Sequence, residues 1–199
     1  MVELVIFIVI LAVALTGITV IYLNATRYSA DPMIRIRSVE LAKSTLEEIM
    51  LKAYDNNTPV GGGCVRFAAN SRCPAGTPPN PTASTETTGL GAEEGATNRS
   101  LFNDVDDYHN LSYCGTGGIA ASACTNACMP LVDESGNNIS AQYAGYAVCI
   151  RVSFAGNELN TVNPGTGTTV LANDAKRIDV IVTDPLHSNI NLSAYRLNY

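Results

Sequence analysis

The sequence predicts an α+β protein: one long N-terminal helix, apolar in its first half and amphipathic in its second, packed on an antiparallel β-sheet. Three observations carry this reading. Leu4 to Leu23 runs without a charged side chain. From Met33 to Tyr54 apolar residues recur mostly at three-to-four spacing, the period of a half-buried helix. Toward the C-terminus apolar and polar residues alternate, the period of a half-buried strand. The organisation that follows is 1–30, an apolar helix with a polar exit; 31–55, an amphipathic helix; and 56–199, a disulfide-containing, β-rich globular domain with a variable loop at 68–100.

The apolar run LVIFIVILAVALTGITVIYL has about the ~20 residues that span a bilayer as a helix. It lacks the basic flank, short core and small-residue cleavage site of a secretory signal, so it is expected to stay on the mature protein. Glu3 is the one charged side chain before Asn24. A carboxylate at the centre of a bilayer costs about 2.5–3.5 kcal/mol or more, and less near the interface. A cation offsets that cost, and the α-amino group of a neighbouring chain is the obvious one. The alternative is a carboxylate resting in the headgroup layer without a partner.

Asn24 to Ala30 is a polar exit. Asp31-Pro32 reads either as a cap and first turn of a new helix or as a proline inside one continuous helix. From Met33 the apolar positions Ile34, Ile36, Val39, Leu41, Ala42, Leu46, Ile49, Met50 and Ala53 are interleaved with charged residues, and Lys43 with Glu47 makes an i,i+4 pair. Asp55-Asn56-Asn57 and the Pro59 to Gly63 stretch end the helix.

Residues 68–100 are rich in Pro, Thr, Ser, Gly and Ala and read as a long surface loop. Six Asn-x-Ser/Thr sequons occur, at Asn24, Asn56, Asn98, Asn110, Asn138 and Asn191. Tyr146 to Phe154, Ile178 to Thr183 and Ile190 to Leu197 read as strands, with turns at 133–138 and 164–167. All six cysteines, Cys64, Cys73, Cys114, Cys124, Cys128 and Cys149, follow the apolar run. An even count on one side of a membrane fits an oxidising compartment and up to three disulfides among fifteen pairings. Cys64–Cys73 closes a short Pro/Gly-flanked loop and is the one pair the spacing favours.

The net charge of −6 gives no basic stripe, which argues against nucleic acid as a partner. The polybasic cluster of a lipid-headgroup binder is missing too. His109 and His187 sit in no catalytic motif. Cys124-x3-Cys128 is neither a redox nor a zinc pair. The candidate ion site is the segment Asn103 to Asp107, where Asp104, Asp106 and Asp107 offer hard oxygen ligands for Ca²⁺. It lacks the glycine and terminal glutamate of an EF-hand loop, and an acidic turn is the alternative. Otherwise no cofactor and no enzymatic activity are expected.

The opening ELVIFIVILAVALTGI resembles the N-terminal segment of type IV pilins and type II secretion pseudopilins. In that family a prepilin peptidase cuts ahead of the apolar helix and methylates the new N-terminus. The helices bundle in a filament core, and the glutamate meets a neighbour's terminal amine. The resemblance assigns that role to Glu3. DPMIRIRSVELAKSTLEEIMLKAYDNN, VGGG, FNDVDDYHNL and the closing LSAYRLNY are similar to the D-type minor pilins of the mannose-sensitive haemagglutinin pilus. Together these blocks touch most of the chain outside the variable loop. The resemblance implies a structural pilin or minor pilin. Its partners would be other pilin subunits, the inner membrane before assembly and the pilus assembly machinery. Its C-terminal domain would be periplasmic before assembly and extracellular afterwards. A secretion pseudopilin, or a membrane-anchored tip adhesin, is the alternative. Members carry more residues before the glutamate than Met1-Val2, so the reading frame is expected to start upstream, with Met1 standing at an internal position.

Overall fold

The computed structural model describes residues 2–58, 90–92, 95, 97–119, 124–162 and 172–198. Its elements are α1 (Val2–Leu51), β1 (Leu111–Cys114), β2 (Met129–Pro130), β3 (Ala147–Phe154), α2 (Gly156–Val162), β4 (Ala175–Thr183) and β5 (Asn189–Leu197). Single 3-10 turns lie at Arg99–Leu101, Asp106–Tyr108 and Ala172–Asp174. The chain is α+β and divides into two compact units, residues 1–37 and 38–199.

In the first unit α1 carries a 22-residue stretch, Val2–Leu23, of mean hydropathy 3.1. At ~1.5 Å per residue this is long enough to cross the ~30 Å apolar layer of a membrane. The hydroxyls of its two threonines are satisfied by the helix itself. Thr16 Oγ1 donates to Val13 O at 2.8 Å and Thr19 Oγ1 to Leu15 O at 2.7 Å. That removes the penalty an unpaired hydroxyl meets in hydrocarbon. Pro32 lies inside α1, so of the two readings of Asp31-Pro32 the continuous helix is the one adopted.

In the second unit the last turns of α1 bury one stripe. Ser38, Leu41, Ala42, Thr45 and Ile49 fall at i, i+3, i+4, i+7 and i+11, and all are buried. Two of the five are polar, which the apolar pattern alone did not mark. The helix stops at Leu51, three residues before the end of its apolar pattern. Ala53 instead forms a parallel bridge with Asp104.

The sheet has the order β2-β1-β3-β4-β5. The expected strands are present as β3, β4 and β5, an antiparallel meander. Its register sets Val148, Ile150 and Val152 opposite Val182, Val180 and Ile178, and these opposite Ile190, Leu192 and Ala194. One aliphatic face results from the period of two. The expectation of a purely antiparallel sheet is corrected at β1 and β2, which pair in parallel. β2 is only two residues long and its Pro130 sits on the sheet edge, where a missing N–H is tolerated.

Two disulfides staple this region: Cys114–Cys128 and Cys124–Cys149, each with Cα atoms 5.7 Å apart. The first joins the end of β1 to the residue before β2. The second joins the loop between them to the centre of β3, where Ile181 packs on it. Gly115 follows the first bridge because a Cβ there would meet Tyr143 O at 1.7 Å. The favoured Cys64–Cys73 pair, most of the 68–100 loop and the 164–167 turn lie outside the described residues.

Candidate functional site

Glu3 stands in the first turn of α1 and the apolar residues around it are exposed, from Val2 at 74 % to Leu11 at 42 %. A carboxylate near a helix N-terminus gains about 0.3–1 kcal/mol from the helix dipole. That is less than the cost of holding it in lipid, so the dipole alone does not make Glu3 at home there. Met1 lies outside the described residues.

The candidate ion ligands lie together in the interior with a lysine. Asp104, Asp106 and Asp107 are all fully buried, and so is Lys176, which β4 turns to the core side. Lys176 Nζ donates to Asp106 Oδ1 at 2.7 Å and also to Tyr54 O. It lies 4.5 Å from the centroid of the Tyr54 ring. Asp104 Oδ1 accepts the Asp106 and Asp107 N–H groups at 3.1 and 3.3 Å. Asp107 Oδ2 accepts those of Asn103 and Asp104 at 2.8 and 3.2 Å. The carboxylates thus shape their own tight turn and neutralise a lysine. Among the described residues no group of three acidic, histidine or cysteine side chains is arranged to hold a metal. The cation that this acidic turn faces is Lys176.

Three carboxyl groups around one ammonium cannot all ionise cheaply without water. Burial pushes the Asp104 carboxyl up to about 9, helped by a hydrogen bond with Asp106 and by the charges of Asp106 and Asp107, with Lys176 pulling the other way. Asp104 therefore keeps its proton at neutral pH.

A second buried polar knot ties α1 to the sheet. Arg99 Nε donates to Glu48 Oε1 at 3.0 Å, and its Nη2 pairs with Glu48 Oε2. Arg99 Nη1 donates to Val132 O at 2.7 Å. Tyr108 OH adds a bond to Glu48 Oε1 at 2.7 Å, and the guanidinium stacks 5.2 Å from the Tyr113 ring centroid. A forked arginine on a carboxylate is the strong, oriented form of an ion pair. Burial pushes the Tyr113 hydroxyl up to about 12.

The histidines do not meet in a shared motif. His109 Nδ1 bonds Val152 O at 2.7 Å, and His187 takes φ +61 in the turn between β4 and β5. Lys176 is the residue that sequence reading missed. The signal was present: carrying the alternation of Ile178, Val180 and Val182 back by two residues puts Lys176 inward, and an inward lysine needs a buried acid.

No family model, no curated protein and no solved structure matches this chain.

Proposed function

We propose that this chain is a structural subunit of a type IV pilus-like filament, a pilin or minor pilin that assembles through its N-terminal helix. The observation that supports it best is the start of α1. The first unit is an apolar helix of membrane length with one carboxylate in its first turn, and the second is a disulfide-stapled sheet unit. A plain anchor does not require that carboxylate. A bundle of like helices does, because each Glu3 then neutralises a terminal amine of a neighbour. The apolar surface of Val2–Leu23 first sits in the inner membrane and then exchanges lipid for other helices. The similarity to D-type minor pilins of the mannose-sensitive haemagglutinin pilus favours a scarce subunit over the main repeating one.

The test is quantitative mass spectrometry of sheared, purified surface filaments from cells making the native chain or Glu3→Ala. Native chain in the filament fraction, with the variant retained in the membrane, is the expected result. Native chain absent from filaments, or the variant incorporated normally, overturns the proposal.

A further inference from the structure

The contact between Lys176 and Asp106 has the geometry of a reaction as well as of an ion pair. Nζ and Oδ1 are 2.7 Å apart, and both side chains have no exposure to solvent. The Tyr54 ring flanks the nitrogen, and the Tyr54 carbonyl fixes it by a hydrogen bond. A second carboxyl, Asp104, is within hydrogen-bonding reach of Asp106. Asp104 Oδ2 and Asp106 Oδ2 are buried and receive no hydrogen bond from a donor among the described residues. Two carboxyl oxygens that both lack a donor in a dry site are relieved by a proton held between them.

We propose that Lys176 and Asp106 become joined by an intramolecular amide bond, with Asp104 as the positioning acid that relays the proton. The step opens with transfer of one ammonium proton to Asp106 along the 2.7 Å hydrogen bond, which leaves an amine facing a carboxylic acid for the attack. The amine lone pair attacks Asp106 Cγ and the C–N bond forms. The Cγ–OH bond breaks, and the hydroxyl leaves as water with a proton delivered from Asp104. The new amide nitrogen gives up one proton, which restores Asp104. One amine and one acid yield one amide and one water, with no oxidant or activating group. Holding Nζ against the Asp106 carboxyl, 2.7 Å from Oδ1, makes the attack on Cγ intramolecular, and well-oriented intramolecular pairs reach effective concentrations of about 10⁵–10⁸ M. A desolvated lysine is the nucleophile such a step needs. The product leaves no charge on either residue, which removes the standing penalty of a buried ion pair. Unlike the disulfides, this link between the loop before β1 and strand β4 is indifferent to reducing agents.

The experiment uses the full chain in detergent, with the Cys114–Cys128 and Cys124–Cys149 bridges first verified on a non-reduced sample as proof of the native fold. After reduction and proteolysis, mass spectrometry should find the peptides carrying Asp106 and Lys176 joined and lighter than their sum by one water. Asp104→Asn, which keeps both reacting residues, should lower the joined fraction at least tenfold while the two bridges still form. Lys176→Met supplies the unlinked control. Separate peptides of full mass from natively bridged protein overturn the proposal. A joined fraction unchanged in Asp104→Asn overturns the role of Asp104.

Discussion

At the scale of single residues, Asp104 makes stability depend on pH in an unusual direction. Its folded value of about 9 lies above the ordinary 3.8 of a carboxyl. The native chain therefore binds a proton that the unfolded chain releases, and the contribution is fully present below about pH 4. It is lost as pH rises toward 9, with a slope of at most about 1.4 kcal/mol per pH unit. Asp104→Asn mimics the protonated form and keeps an oxygen for the Asp106 and Asp107 N–H groups. Thermal unfolding followed from pH 5 to 9 should fall for the native chain and be flatter for the variant. The Glu48–Arg99 fork makes a different prediction. Arg99→Met strands a carboxylate that is only 9 % exposed, and chemical denaturation should show a loss of about 3–5 kcal/mol. The sequence displayed the acids of both knots but not their partners. Asp104 to Asp107 stand out as a run, whereas Lys176 lies 70 residues beyond Asp106 and Arg99 lies 51 beyond Glu48. Periodicity reports which way a side chain faces, and only the packed fold reports what it faces.

Among the elements, legibility follows length. β3, β4 and β5 have eight or nine residues each with sustained alternation, and the sequence marks all three. β1 and β2, at four and two residues, are too short for a period to show. They owe their place to the bridges as much as to hydrogen bonds. Cys114–Cys128 and Cys124–Cys149 close loops of separation 14 and 25, each expected to contribute about 3 kcal/mol by restricting the unfolded chain. Replacing Cys114 and Cys128 together by Ser should lower the denaturation midpoint accordingly. Amide exchange should quicken first in β1 and β2, with β4 protected to the last. In α1 the pattern located the helix but overcounted its core. Met33 is 76 % exposed and Ile36 60 %, while Ser38 and Thr45 are buried. A stripe is set by which side of the cylinder faces protein, and hydrophobicity is only a proxy for that.

For the whole molecule the proposed assembly turns on the first turn of α1. Glu3→Ala should leave membrane insertion intact, since it removes a cost, and should abolish or strongly reduce recovery in filaments. Fractionation of membranes and sheared filaments checks both halves. The bond from Tyr54 OH to Asn173 O, 2.8 Å long, also has a bearing on how the chain reaches its fold, because it joins residues 119 apart. The turn between β4 and β5 closes over a separation of only six, as in the Thr183–Asn189 pair. By the (3/2)RT ln n rule, closing the longer loop costs about 2.6 kcal/mol more entropy than closing the hairpin. The meander of β3, β4 and β5 is thus the natural nucleus, and the segment after α1 docks on the downhill side of the barrier. Tyr54→Phe should accordingly leave the refolding rate nearly unchanged in stopped-flow experiments and raise the unfolding rate severalfold. A chain made from its N-terminus would then have its membrane helix complete long before that end of it finds the sheet.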